Sequence, residues 1–472
     1  MNFKLTMSST QVGNALSSST TTLVDLSNST VTQKKQYYKD GETLHNLLLG
    51  LKNNQDSELL PHEQAHPKIF QALKARIGRI NNETCDPGEE NSFFICDLGE
   101  VKRLFNNWVK ELPRIKPFYA VKCNPDTKVL SLLAELGVNF DCASKVEIDR
   151  VLSMNISPDR IVYANPCKVA SFIRYAASKN VMKSTFDNVE ELHKIKQFHP
   201  ESQLLLRIAT DDSTAQCRLS TKYGCEMENV DVLLKAIKEL GLNLAGVSFH
   251  VGSGASDFTS LYKAVRDART VFDKAASEYG LPPLKILDVG GGFQFESFKE
   301  STAVLRLALE EFFPVGCGVD IIAEPGRYFV ATAFTLASHV IAKRKLSENE
   351  AMIYTNDGVY GNMNCILFDH QEPHPRTLYH NLEFHYNDFE STTAVLDSIN
   401  KTRSEYPYKV SIWGPTCDGL DCIAKEYYMK HDVIVGDWFY FPALGAYTSS
   451  AATQFNGFEQ TADIVYIDSE LD

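Results

Sequence analysis

From residue 118 onward, short apolar, β-branched or aromatic runs alternate with amphipathic stretches. The runs predict strands at 118–121, 139–142, 161–163, 184–186, 204–208, 244–249, 286–289 and 320–323. Between them, apolar residues recur at i, i+3, i+4 and i+7. That spacing predicts helices over 127–136, 145–154, 188–197, 227–240, 258–279 and 301–313. Gly137, Gly241 and Gly280 follow three of these helices, where a left-handed cap is expected. Eight short strands with helical crossovers predict an α/β fold of the (β/α)8, TIM-barrel type. A doubly wound parallel sheet fits the same alternation.

The pattern changes after about residue 335. Runs at 333–345, 351–355, 408–413 and 437–441 alternate, and long crossover helices are missing. They predict a C-terminal, mostly antiparallel β domain. Ahead of the barrel, 92–96 reads as a strand and 98–111 as a helix, and chain length allows 93–96 to join the β domain. Residues 1–35 are rich in Ser, Thr, Asn and Gln. They bury too little apolar surface to offset their ordering entropy, so disorder is expected there. A short helix is expected over 44–51. The expected organisation is an extension at 1–35, a lead-in at 36–97 partly packed on the β domain, a barrel at 98–335 and a β domain at 336–472.

In such a barrel the C-terminal strand ends carry the chemistry. At those ends stand Lys122, Asp141 with Glu147, Asn165, Asp187, Arg207, His250 with Ser253, Gly290 to Gly292, and Glu324 to Arg327. Lys122 follows an apolar strand and precedes a turn. A partly desolvated amine at that position is expected to have a lowered pKa and to form a Schiff base; a strand-end lysine reaching for water is the alternative. Gly290, Gly291 and Gly292 let backbone N–H groups approach an anion, or simply make a tight turn. Arg327 suits a phosphate, or a plain ion pair within its loop. His250 could stack on a flat ring while Ser253 and Tyr447 donate to a phosphate. In the β domain, Gly414, Pro415 and Gly419 fix a turn that displays Cys417 beside Asp418, a candidate for proton transfer. Asp369 lies on a second carboxylate loop.

Composition narrows the classes. The 472 residues carry a net charge of −13 with no compensating basic run, which argues against nucleic-acid binding. No apolar run reaches membrane-spanning length, so no membrane association is expected. Eleven cysteines without CxxC pairing point to reduced thiols and a cytoplasmic protein. No zinc-type spacing, P-loop or GxSxG elbow occurs, so no metal is expected.

Taken together, 117–124, 140–144, 248–253, 287–293, Glu324 to Arg327, 357–360, 413–421 and 445–448 resemble the eukaryotic ornithine decarboxylase family. The resemblance covers residues from about 90 to the C-terminus. It implies an alanine-racemase-like barrel binding pyridoxal 5′-phosphate. Lys122 would carry the cofactor covalently, Glu324 would pair with the pyridine nitrogen and His250 would stack on the ring. Ser253, Gly290, Gly291, Gly292, Gly326, Arg327 and Tyr447 would hold the phosphate. Asp141, Glu147 and Arg207 match polar positions around the cofactor. Phe368, Asp369, Cys417 and Asp418 would form the substrate pocket, the carboxylates holding the distal ammonium of L-ornithine and Cys417 protonating the α-carbon. Phe368 stands where the family has a tyrosine. The resemblance further implies a homodimer with active sites shared across the interface, Lys222 and Asp421 bridging subunits, and antizyme as a partner, with Lys168, Arg174, Lys179 and Lys183 in the corresponding region. A lysine or arginine decarboxylase, or an inactive antizyme-binding relative, resembles the same family.

Overall fold

The computed structural model describes residues 66–213, 215–216, 220–254, 257–386, 405–458 and 463–471, together with Leu44 and Leu47. The chain divides into two compact units, 1–53 and 54–472. In the first, Leu44 and Leu47 are helical. The extension expected to be disordered, 1–35, lies outside the described residues.

The second unit contains a closed barrel of eight parallel strands. In chain order after β1 (Phe93–Asp97) these are β2 (Ile115–Ala120), β3 (Asn139–Cys142), β4 (Ile161–Tyr163), β5 (Lys183–Phe186), β6 (Gln203–Arg207), β7 (Asn243–Ser248), β8 (Ile286–Asp288) and β9 (Asp320–Ala323). Ile115 pairs with Ile321, so β2 closes on β9 and the open-sheet alternative is excluded. The strands are short because each is buried on both faces, inside against the barrel core and outside against a helix. Phe118, Val162, Leu205, Ile286 and Ile322, from β2, β4, β6, β8 and β9, form one buried cluster.

The helices follow their amphipathic pattern. Val230–Leu240 buries Val230, Leu233, Leu234 and Ile237 and ends at Gly241 in the left-handed conformation, φ 60°. Asp126, Ser144 and Asn188 cap the N-termini of the helices after β2, β3 and β5 with their side chains.

Beyond the barrel, a mixed, mostly antiparallel nine-stranded sheet forms from β10 (Phe334–Lys345), β11 (Glu350–Thr355), β12 (Arg376–His380), β13 (Glu383–Phe384), β14 (Tyr408–Trp413), β15 (Cys422–Met429), β16 (Trp438–Phe441), β17 (Asp463–Ile467) and β1. Strand β1 enters this sheet antiparallel to β10 and parallel to β17. The β11–β14 pair is also parallel. The helix Leu98–Glu111 thus leaves the sheet and leads directly into the barrel, capped by the Asp97 side chain.

Candidate active site

The turn after β2 is fixed both from within the barrel and from the loop after β16. Tyr119 donates to Asn124 O at 2.9 Å, and Asn124 Nδ2 donates to Gly445 O at 2.8 Å. Tyr447 N donates to Cys123 O at 2.9 Å. The loop after β16 therefore clamps the segment that presents Lys122. Gly445 is required there, since a Cβ would sit 1.8 Å from Val330 O.

Lys122 Nζ lies 2.7 Å from Asp141 Oδ2, and that carboxylate side chain is wholly buried. The Lys122 side chain is 41% exposed, so it is only partly desolvated, and that desolvation alone would lower its pKa. Asp141, Tyr447 and Glu324 outweigh it, and the net shift is upward. The lowered pKa expected from the sequence is therefore corrected. The position at the strand end is as expected, but the facing carboxylate on β3 holds the ammonium form. Asp141 Oδ1 has no hydrogen-bond partner.

The neighbouring strand ends complete the rim. Glu147 accepts from Ala143 N at 2.6 Å, closing the loop that follows Asp141; burial raises its pKa. His250 Nδ1 accepts from Gly252 N at 3.0 Å, leaving Nε2 to carry the proton of a neutral ring. Burial, Arg207 and Lys122 all push the His250 pKa down, so the ring stays uncharged. Arg207 lies against the Tyr223 ring. The glycine triplet has no room for side chains. A Cβ at Gly290, Gly291 or Gly292 would meet Phe249 O at 2.1 Å, Glu324 O at 2.7 Å or Gly252 O at 2.2 Å. Asn165 and Asp187 are engaged in loop contacts, with Ala143 O and Gly224 N.

Arg327 is 8% exposed. Its Nη2 lies 2.5 Å from Asp369 Oδ2, its Nε donates to Ser253 Oγ at 3.4 Å, and it faces the Tyr447 ring at 5.1 Å. The structure thus joins three residues singled out separately in the sequence. A Cβ at Gly326 would meet Cys123 Cβ at 2.9 Å, so glycine there lets the Arg327 loop approach the Lys122 turn. Phe368, next to Asp369, is 66% exposed.

Glu324 lies against Asp288, which the sequence reading missed. Asp288 is wholly buried and Glu324 half-buried; desolvation is the first cause raising both pKa values, and Glu324 is raised further by the Asp288 charge. An aspartate in the apolar run Ile286–Val289, two residues before the glycine triplet, was the available signal.

Cys417 and Asp418 form a separate cluster in the sheet. Cys417 is exposed, and its N–H donates to Asn456 Oδ1 at 3.0 Å. Asp418 accepts from the Tyr360 hydroxyl and from Leu420 N, and the Tyr360 bond lowers its pKa. Tyr360 stacks on Phe455 with centroids 4.4 Å apart. Asp421 is 1% exposed and accepts from Val359 N, Thr416 N and Thr416 Oγ1. The partner it shares by resemblance, Lys222, lies over the Tyr223 ring. Lys168 is not part of a solvated basic face. It is buried and paired with Glu191 at 2.9 Å, because its amine also donates to Thr185 O inside the barrel layer. Among the described residues, no cluster of His, Cys, Asp or Glu could hold a metal ion, and no helix is long and apolar enough to cross a membrane.

A barrel rim with a strand-end lysine, a glycine turn closed to side chains and a pair of neighbouring acids is the rim of a pyridoxal-dependent enzyme. The chain belongs to the pyridoxal-dependent decarboxylase family, whose pyridoxal-binding domain matches residues 98–331. It is 99% identical to the ornithine decarboxylase of Saccharomyces cerevisiae, over 99% of this chain and all of that protein. It is 45% identical to antizyme inhibitor 2 of Xenopus laevis, over 81% of this chain and 82% of that protein. Among solved structures, the arginine decarboxylase of Paramecium bursaria Chlorella virus bound to agmatine superposes with a TM-score of 0.74. It is 32% identical, and the match covers 84% of this chain and all of the viral one.

Proposed function

We propose that this protein decarboxylates L-ornithine to putrescine and CO2 with pyridoxal 5′-phosphate. The observation that carries the reading is the convergence at one rim of Lys122, the half-buried Glu324 carboxyl and Arg327 beside Ser253 and the glycine cradle. These residues fit the cofactor. Glu324, whose pKa desolvation and the Asp288 charge push up, is placed to exchange a proton with a ring nitrogen and to pair with it as a carboxylate. The cradle, Ser253, Arg327 and Tyr447 suit its phosphate, and neutral His250 suits its ring face. Asp141 Oδ1, buried and without a partner, awaits a donor.

When bound, pyridoxal phosphate supplies an electron sink for the pair of electrons left on the α-carbon as CO2 departs. Lys122 holds the cofactor covalently, and Asp141 keeps the lysine side chain aimed at the rim. Asp369 and Asp418 bind the distal ammonium of ornithine, a cation that suits two carboxylates. The Cys417 thiol gives its proton to the α-carbon. Asp141, Glu147 and Arg207 fix the loops and the charge balance around the cofactor.

The Cys417 and Asp418 loop, between β14 and β15, is anchored to Asn456, Tyr360 and Asp421 on loops of the C-terminal β region. That arrangement supports a homodimer in which each loop completes the partner's rim. We take 98–335 as the barrel and 336–472 as the β domain, with 36–97 contributing β1. For antizyme, Arg174 and Lys179 remain on the surface, whereas buried Lys168 is removed from the docking face.

The test is CO2 release from ornithine, lysine and arginine, with the visible absorbance of the bound cofactor recorded in parallel. The expected result is the highest kcat/KM for ornithine and loss of the band in Lys122→Ala. A preference for lysine or arginine overturns the substrate assignment. Mixing Lys122→Ala and Cys417→Ala chains tests site sharing. Random pairing makes half the dimers mixed, each with one intact site, so roughly a quarter of the activity returns. No recovery refutes sharing. Charge reversal at Arg174 and Lys179 is expected to weaken capture by antizyme; unchanged capture removes that face.

A further inference from the structure

We propose that Asp288 is a positioning residue of the cofactor site, one oxygen holding the glycine cradle and the other sharing a proton with Glu324. The inference rests on the pyridoxal phosphate reading above.

The geometry is that of a joint. Asp288 ends β8 and is 0% exposed. Its Oδ1 accepts from Gly290 N at 2.9 Å. Gly290 has φ 68° and lacks space for a Cβ, so this bond fixes the first residue of the cradle in its left-handed conformation. Gly290 O in turn accepts from Glu324 N at 2.7 Å, and Asp288 O accepts from Phe249 N at 3.1 Å. One aspartate thus ties together the strand ends that present His250, the cradle and Glu324.

The second oxygen, Oδ2, receives no N–H or hydroxyl hydrogen. The Glu324 carboxyl stands at the end of the adjoining strand β9, its N–H held by Gly290 O, and it is the acid that acts most strongly on Asp288. A buried acceptor left bare is costly, and so are two adjacent buried negative charges. A proton carried on Glu324 and directed at Asp288 removes both penalties.

The surrounding charges agree. The groups that act on the pair are Asp141 from β3, Lys122 from the turn after β2 and Arg207 from β6. Among these five groups, Asp288 and Glu324 included, three acids face two cations, and a single retained proton balances them; Glu147 lies further out, beside Asp141 and Lys122. A ring nitrogen carrying a proton adds a positive charge beside Glu324. The pair then has reason to ionise fully. If the ring arrives protonated, the Glu324 proton leaves to solvent. If the ring arrives neutral, the Glu324 O–H bond breaks and an N–H bond forms on the ring. Both routes end with the pyridinium held by two carboxylates, Glu324 in contact and Asp288 behind it.

Pyridoxine 5′-phosphate is the probe, because it lacks the aldehyde and cannot react with Lys122. Calorimetry of the cofactor-stripped full-length protein, in buffers of different protonation enthalpy, reads the protons released. The pH is set where the free ligand's ring nitrogen is protonated. The wild type is expected to release close to one proton. Asp288→Asn keeps the Gly290 acceptor but removes the charge. It is expected to release markedly less and to bind on the order of tenfold more weakly, one pKa unit of charge interaction. Its affinity for inorganic phosphate, which has no ring, is expected to match the wild type. Unchanged proton release and affinity in Asp288→Asn overturn the proposal. Equal weakening of phosphate and pyridoxine phosphate also overturns it, since Asp288 would then act through the cradle alone. A wild type that binds neither ligand sinks the cofactor reading itself, an outcome distinct from both.

Discussion

The ion pair between Arg327 and Asp369 joins the phosphate end of the site to its substrate end. Replacing Asp369 with Asn leaves the shape nearly unchanged and removes the countercharge. The two side chains are 9% and 8% exposed, so a buried cation is left without its partner. Breaking such a pair costs about 3–5 kcal/mol. The Tyr447 ring and Ser253 soften the loss here, which favours the lower end, about 3 kcal/mol. That cost falls on the cofactor-free protein. A bound phosphate supplies a new anion for Arg327 and recovers much of it. Cofactor affinity is therefore expected to rise in Asp369→Asn, by up to about 100-fold if the whole 3 kcal/mol is recovered. Ornithine recognition moves the other way. Loss of a charged hydrogen bond to the distal ammonium costs about 1.5–3 kcal/mol, so KM rises by about 10- to 150-fold. The assays are thermal unfolding with and without saturating pyridoxal phosphate, and steady-state kinetics with ornithine. The reasoning is refuted if the variant loses equal stability in both states, or if KM is unchanged.

Three further outcomes follow from single contacts. In Asp141→Asn the largest influence raising the Lys122 pKa disappears and burial, which lowers it, remains. The amine is the nucleophile, so the rate of cofactor attachment, which rises with pH through the Lys122 pKa, should rise at lower pH; stopped-flow absorbance showing no shift, or an upward one, contradicts this. Gly290→Ala places a Cβ 2.1 Å from Phe249 O at φ 68°, and the combined clash and left-handed strain of roughly 1–3 kcal/mol should weaken cofactor binding at least about tenfold, as read by fluorescence titration. Asp421→Asn sets an amide against donors that now meet a carboxylate. It should cost about 1–3 kcal/mol of stability and lower kcat more than cofactor affinity, and equal losses in both would place its role elsewhere.

Much of the barrel was legible because its signals are local. Each strand and each crossover helix lies within a few residues of its own pattern, and Gly241 caps its helix as expected. Closure was a matter of count and connection. The nine-stranded sheet was less legible. Phe93–Asp97 reads as a buried strand, but its neighbours lie about 240 and 370 residues away in sequence, in β10 and β17. Nothing in the run itself names those partners. The short strand β17, Asp463–Ile467, is half-buried along its length and gives only a weak pattern.

The site divides along the same line. Lys122, His250, Glu324 and Arg327 stand at strand ends, so a barrel topology alone brings them to one rim. What the residues do to each other is not local. Lys122 was expected to be a desolvated amine, and desolvation does act on it, but Asp141 on the next strand is stronger. Asp288 looks like an interruption of an apolar strand until Glu324, on the strand beside it, leaves its carboxyl needing a neighbour. A rim that buries Asp141, Asp288 and the Arg327–Asp369 pair beside a half-buried Glu324 holds charges in places where water cannot fully answer them. Folding alone gives no reason to collect them there, since apolar residues of similar volume would often be as stable. Their presence makes sense if the ligand brings the missing charges, a cation to the acids and an anion to Arg327. The cofactor should then act as a structural component of the rim as well as its chemistry, with the loaded protein distinctly harder to unfold than the stripped one.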